Sequence, residues 1–223
     1  MPHSTYLPEK MGSATVSPTG RFEAGSYQSF TVTYTAGYFG IDDTGSIKIA
    51  HRFASDMGRP QFDNPTAPNY ITAEASNNAV LDMRYDNKQN IRPWDKTLYI
   101  KVVRGFLRVG DQIVVRFGDP RQGSPGIRMQ TFCESTFEFK VLVDAIATYN
   151  YVELPQSPEI AVVSGPPVMW KAVVPSLLAV LDGSRDALTE EGAQAAPLPR
   201  SSIVGSWTEA AVKTMTEGAD ELA

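Results

Sequence analysis

Ser29-Phe30-Thr31-Val32-Thr33-Tyr34-Thr35 decides the fold class. Large apolar and hydroxyl residues alternate through it, and successive side chains of an extended chain point to opposite faces of a sheet. Phe30, Val32 and Tyr34 therefore share one face and the threonines the other, as in a half-buried strand. Strand-like stretches recur on both sides of the next turns: Ser46–Phe53, Tyr70–Ala75, Val80–Tyr85, Thr97–Arg104, Gln112–Phe117, Ile127–Phe132, Thr136–Val143 and Thr148–Leu154. Asp42-Asp43-Thr44-Gly45, Ser76-Asn77-Asn78 and Val109-Gly110-Asp111 supply turn chemistry between them. Many short strands with closely spaced turns, and no useful helical period before residue 175, predict an all-β fold. The expected architecture is an immunoglobulin-like antiparallel β-sandwich over residues 26–155.

Outside those limits the pattern changes. Residues 1–25 are polar and rich in Pro, Ser, Thr and Gly, and read as an extended arm with a short strand at Ala14–Val16. Pro155-Gln156-Ser157-Pro158 reads as a linker. Beyond it, Glu159–Val163 and Val168–Pro175 read as the start of a second, incomplete β unit over residues 156–181. Residues 182–223 form an Ala, Glu, Gly, Ser and Thr-rich tail with the composition of a flexible segment. Ser206-Trp207-Thr208-Glu209 has capping-box spacing, so a short helix is expected over residues 207–222.

Composition narrows the partners. The 223 residues carry a formal net charge of −5, and 42% are hydrophobic. With no Lys/Arg run, this acidic chain has no nucleic-acid footprint. No apolar run is long enough for a membrane span. The single cysteine, Cys133, can make no intramolecular disulfide and reads as a buried thiol. Together with the lack of a secretory h-region near Met1, it implies a cytoplasmic setting. The two histidines, His3 and His51, have no ligand spacing, and the loop aspartates match no calcium-loop pattern. No metal and no cofactor is therefore expected. No nucleophile elbow or glycine-rich phosphate loop is present.

Three long loops hold the polar residues that could form a site. The first carries Arg52, Asp56, Arg59, Gln61 and Asp63, the second Arg92 and Trp94, the third Asp119, Arg121 and Gln122. Clustered at one end of a sandwich, Arg52, Asp56, Arg59, Gln61, Arg92, Trp94, Asp119 and Arg121 would suit a small anionic or sugar ligand, with Trp94 as an aromatic platform. The plainer alternative is that Arg–Asp pairs pin the loops to the sandwich. His51 reads as a packed or edge residue. Tyr34, Phe53, Tyr99, Phe117, Phe132, Phe137, Phe139 and Trp170 read as core.

Ordered motifs add a resemblance. They include Tyr34-Thr35-Ala36-Gly37, Arg52-Phe53-Ala54-Ser55-Asp56-Met57-Gly58-Arg59-Pro60, Asn90-Ile91-Arg92-Pro93-Trp94, Gly123-Ser124-Pro125-Gly126-Ile127 and Gln130-Thr131-Phe132-Cys133-Glu134. Together they resemble the N-terminal β-sandwich region of a bacterial family of unknown function. Longer members of that family carry a downstream metallohydrolase domain like those of polymerases and histidinol phosphatases. The resemblance covers roughly residues 25–175 and fades near Leu178 to Asp182. It implies a non-catalytic module, structural or ligand-binding, because none of the family's catalytic residues can be carried onto a position of this chain. The fading suggests a natural short ending or a shifted reading frame. Two other functions fit the residues. One is a hydrolase-like enzyme at the loop cluster, with Asp56 or Asp119 as acid/base and Arg59 or Arg92 binding an anion. The other is an interaction protein docking a protein partner through the second β unit and tail.

Overall fold

The computed structural model describes residues 7–88 and 92–166. The chain divides into two units, Met1–Pro166 and Pro167–Ala223, and every described residue belongs to the first. Its strands are β1 (Gly12–Ser17), β2 (Arg21–Glu23), β3 (Tyr27–Gln28), β4 (Phe30–Ala36), β5 (Ser46–His51), β6 (Ile71–Ala75) and β7 (Val80–Asp86). They continue as β8 (Lys96–Arg104), β9 (Gln112–Phe117), β10 (Ile127–Arg128), β11 (Glu134–Glu138), β12 (Lys140–Asp144), β13 (Val152–Glu153) and β14 (Glu159–Val163). The all-β sandwich expected from the alternation is the fold.

One layer has the strand order β1-β4-β9-β6, and the other β13-β12-β5-β8-β7. All their pairings are antiparallel. Alternation fixes the faces. In β4, Phe30, Val32, Tyr34 and Ala36 are buried, while the intervening threonines are half-buried. Ile113, Val115 and Phe117 continue that face on β9. Ile47 and Ile49 of β5, Leu98, Ile100 and Val102 of β8, and Val141 and Val143 of β12 complete the same core. Shifting any of these strands by one residue would turn its apolar set to solvent, so burial itself fixes the register. The Tyr34 hydroxyl lies in this core and donates to the Met11 carbonyl at 2.6 Å. Burial pushes its pKa far above the usual phenol range.

Three expectations need correction. Over its described part, the presumed N-terminal arm is built into the sandwich: β1 pairs with β4 over all six residues, from Gly12↔Ala36 to Ser17↔Thr31. Glu159–Val163 does not open a second unit. As β14 it lies between β11 and β2, antiparallel to the first and parallel to the second, and buries Ile160 and Val162 in the common core. The boundary therefore falls at Pro166 and not at Pro155. Thr136–Val143 is not one strand. It breaks at Phe139, so that β11 joins β14 while β12 joins β5, in a different sheet. The expected strand at Val168–Pro175, the tail 182–223, its helix 207–222 and Trp170 lie outside the described residues.

Three of the expected core assignments also differ. Phe53 is 46% and Phe132 42% exposed, and Cys133 is exposed rather than buried. The other described aromatics on that list are buried.

Candidate functional site

The three long loops gather at one end of the sandwich, with the first as hub. Residues 52–70 join His51 of β5 to Ile71 of β6, and so pass from one layer to the other. The first half of this loop meets the second loop: the Phe53 N–H donates to the Pro93 carbonyl at 2.8 Å, and the Lys96 ammonium donates to the Ser55 carbonyl. Its second half meets the third loop. There the Asn69 N–H donates to the Gly126 carbonyl at 2.8 Å, and the Asp119 N–H to the Tyr70 carbonyl at 2.9 Å. Gly118 and Gly126, at the two ends of the third loop, have φ of 63° and 118°. A Cβ on Gly118 would run into the backbone of Gln28 and Ile127, so only glycine suits that crossing.

Beneath the loops lies an aromatic floor. Phe30 stacks on Phe117 with ring centroids 4.9 Å apart, and Phe139 lies 5.3 Å from Phe30 and 5.1 Å from Phe137. His51 belongs to the same floor, 5.8 Å from Phe137, and is buried. Burial, helped by the nearby Lys96 charge, pushes its pKa down to about 3, so it is neutral at pH 7. It is a packed histidine.

The expected site residues come to the same end but divide into separate groups. Arg52, Arg92 and Trp94 form the first, together with Phe53. The Arg52 guanidinium lies 5.5 Å from the centre of the Trp94 ring, and the Arg92 guanidinium 4.9 Å from that of Phe53. Two short segments, Arg52-Phe53 and Arg92-Pro93-Trp94, thus clasp each other, each placing its arginine over the other's aromatic ring. Lys140 adds a second cation over Trp94, at 4.9 Å. Trp94 is therefore a support for cations and not the open stacking platform that the sequence suggested. Burial works against the Lys140 charge, but the Glu138 and Glu153 carboxylates, 2.7 and 2.6 Å away, outweigh it and raise its pKa. Arg52 has a long ion pair with Glu134 at 3.6 Å and Arg92 one with Asp95 at 3.3 Å, yet their side chains remain 50% and 76% exposed.

Asp119 and Arg121 form the second group. Asp119 is 2% exposed. It accepts hydrogen bonds from Arg121 Nε and Nη2, from the Arg121 N–H and from the Thr72 hydroxyl. Arg121 also reaches Glu74 at 2.8 Å, and Glu74 pairs with Arg116 at the same distance. The Arg121 guanidinium above all holds the Asp119 carboxyl far below the usual carboxylate range.

Asp56, Gln61 and Arg59 stand apart from both groups. Asp56 accepts from the Thr131 N–H at 2.8 Å and its hydroxyl at 2.7 Å, and its backbone carbonyl accepts from Arg128 at 2.6 Å. Burial opposes the Asp56 charge, but Thr131 and Arg128 more than offset this, and its pKa is lowered. Gln61 folds onto its own loop, accepting from the Asp63 and Asn64 N–H groups and donating to the Asn64 carbonyl. Arg59 lies exposed beside Tyr85, whose pKa burial pushes up to about 12.

The chemical meaning is direct. A general acid must hold a proton near neutral pH and be able to give it up. Asp56 and Asp119 are held as carboxylates by several donors each and are shifted the wrong way for that task. They pin loops. Arg52 and Arg92, like Arg59, keep exposed side chains at this end. Phe53 was the residue missed, because a strand pattern running through it suggested burial. The sign available was the recurrence of a cation beside an aromatic in Arg52-Phe53 and Arg92-Pro93-Trp94. Among the described residues, no group of three or more His, Cys, Asp or Glu side chains could hold a metal ion, and no helix is long and apolar enough to cross a membrane.

No family model matches the chain, and no curated protein does. Among solved structures it is similar to the CBM3a-L domain, with flanking linkers, from scaffoldin cipA of the Clostridium thermocellum cellulosome. That match has 17% identity and a TM-score of 0.32, and covers 70% of this chain and 92% of that one. The seventh ScaB type I cohesin of Pseudobacteroides cellulosolvens matches at 10% identity and a TM-score of 0.31, over 70% of this chain and 94% of that one. A family 3a carbohydrate-binding module from the same cipA scaffolding matches at 13% identity and a TM-score of 0.32, over 63% and 99%. Likeness at this level assigns no function to the chain.

Proposed function

We propose that this chain is a non-catalytic β-sandwich module that binds an anionic ligand, such as an acidic sugar, at its three-loop end. The observation that carries this reading is the clasp of Arg52-Phe53 with Arg92-Pro93-Trp94. A guanidinium held over a ring is positioned by it and keeps N–H donors around its edge for an incoming carboxylate or phosphate. The resemblance to the front region of a metallohydrolase family supports a module of this kind, one that accompanies a catalytic domain in longer relatives. The depressed pKa values of Asp56 and Asp119 favour it over a hydrolase reading in which either is the general acid.

Trp94 makes the proposal measurable. An acidic oligosaccharide such as tri-galacturonate should change the tryptophan fluorescence of the full chain, and Trp94→Phe should abolish that change. Replacing Arg52 and Arg92 together by Ala should weaken binding by tenfold or more. Binding that survives the double replacement unchanged would rule out the clasp as the site.

A further inference from the structure

The other end of the sandwich carries a separate set of charges. The turn at 76–79 after β6 and the segment 105–111 between β8 and β9 enclose a depression of about 420 Å³. Its lining includes Arg104, Phe106, Arg108, Asn77 and Asp111. Two features set it apart from the three-loop end. First, neither Arg104 nor Arg108 has a carboxylate partner within ion-pair distance among the described residues. Second, the carboxylate that lines the depression is already engaged: Asp111 Oδ2 accepts from Asn77 Nδ2 at 2.9 Å and from the Arg108 N–H at 2.8 Å. That carboxylate shapes the turn, while both guanidiniums stay available.

The walls add direction. Phe106 is 49% exposed, and the Arg108 guanidinium lies 5.5 Å from its ring centre. Asn77 Nδ2 also donates to the Phe106 carbonyl at 2.7 Å, which ties the turn after β6 to the segment bearing the ring. Gly105, with φ of 92°, carries the chain through the left-handed region between the two arginine-bearing stretches. Arg104, the last residue of β8, stands opposite Val80 of β7, so a strand end rather than a loose loop carries it. A concave surface holding two guanidiniums, one of them over an aromatic ring, suits a compact ligand with a planar or tetrahedral oxyanion.

We infer that this depression is a second ligand site, for a small molecule bearing a carboxylate or phosphate group, held between Arg104 and Arg108 beside the Phe106 ring. It is independent of the three-loop clasp and uses none of its residues.

The test is calorimetric titration of the full chain already carrying Arg52→Ala and Arg92→Ala, so that the outcome does not depend on the clasp. Inorganic phosphate and glucuronate are the two probes. Saturable binding of at least one probe at millimolar concentration or below is expected, weakening as NaCl is raised. The probe that binds more tightly identifies a phosphate or a carboxylate source. Arg104→Gln and Arg108→Gln should each reduce the affinity for that probe about tenfold, while the circular-dichroism spectrum and Tm stay unchanged. Phe106→Leu should reduce it less. Absence of binding by both probes would overturn the inference, and so would equal affinities in the two glutamine variants and their parent.

Discussion

The two ends of this sandwich spend their charges differently. At the three-loop end, acids and bases are mostly turned on one another and on the backbone: Asp119 with Arg121, Arg121 with Glu74, Asp56 with Thr131 and Arg128. At the opposite end, Arg104 and Arg108 face a depression in which the carboxylate is already engaged. Long loops explain the contrast. A loop that crosses from layer to layer must satisfy its backbone and hold its course without a ladder, and buried ion pairs and side-chain caps do that work. The shorter turns of the other end are pinned by Asn77 and Asp111, and Arg104 and Arg108 take no part in an ion pair there among the described residues.

Substitutions can break or sharpen this contrast. The largest effect is expected beneath the long loops: Phe139→Ala should cost about 3–5 kcal/mol in urea unfolding, because it removes a ring wedged among Phe30, Phe117 and Phe137. Asp119→Ala should come next, at about 2–3 kcal/mol, since it removes a buried charged acceptor of several hydrogen bonds. A loss below about 0.5 kcal/mol would mean that the ion pairs of this end do not pin it.

A pH series gives the third. The folded-state pKa of His51 is depressed to about 3, below the value of about 6.5 for an unperturbed histidine. Its contribution is fully present above pH 6.5 and declines as pH falls towards 3, with a slope approaching about 1.4 kcal/mol per pH unit. Asp119, also depressed, has its stabilising effect above the unfolded carboxylate pKa and loses it below about pH 4. Urea titrations of His51→Leu should therefore lose the slope between pH 6 and 4 and keep the fall below it. The smallest effect belongs to the opposite end. Arg104→Gln and Arg108→Gln should each change stability by no more than about 0.5 kcal/mol, within the range of surface substitutions.

The strands were more legible than their partners. Alternation in Phe30–Ala36 located β4 and its buried face, because burial of one face leaves its own period in the sequence. Phe137, Phe139, Val141 and Val143 continue that period without a gap and are all buried, yet Phe137 lies in one sheet, Val141 and Val143 in another, and Phe139 at the break between them. A chain can turn from one sheet to another without losing its inward face, so period alone cannot mark the corner. Glu159–Val163 was readable as a strand but not as a member of the first body, since nothing in Ile160 or Val162 names β2 as a neighbour. The site followed the same rule. Sequence gathered the arginines and aspartates into loops, but which of them neutralise one another depends on distances that only folding sets. Cys133 was misassigned because the strand expected through Phe132 ends at Arg128, and residues 131–133 form an exposed bend with no inward face.

The pairing of β14 with β2 has a bearing on how the chain folds. It joins Phe22 to Val162, residues near opposite limits of the described chain. Closing so long a span carries a large entropic cost before any contact repays it, and parallel pairing offers no hairpin as a start. These strands are therefore expected to meet late, after β4, β9, β5 and β8 have formed the central pairs. Until then β2 exposes an unpaired edge, and a nascent or truncated chain ending before Glu159 would leave β2 and β11 without their shared neighbour. The last described strand thus acts as a closing seam, and the solubility of a shortened chain depends on whether that seam is included.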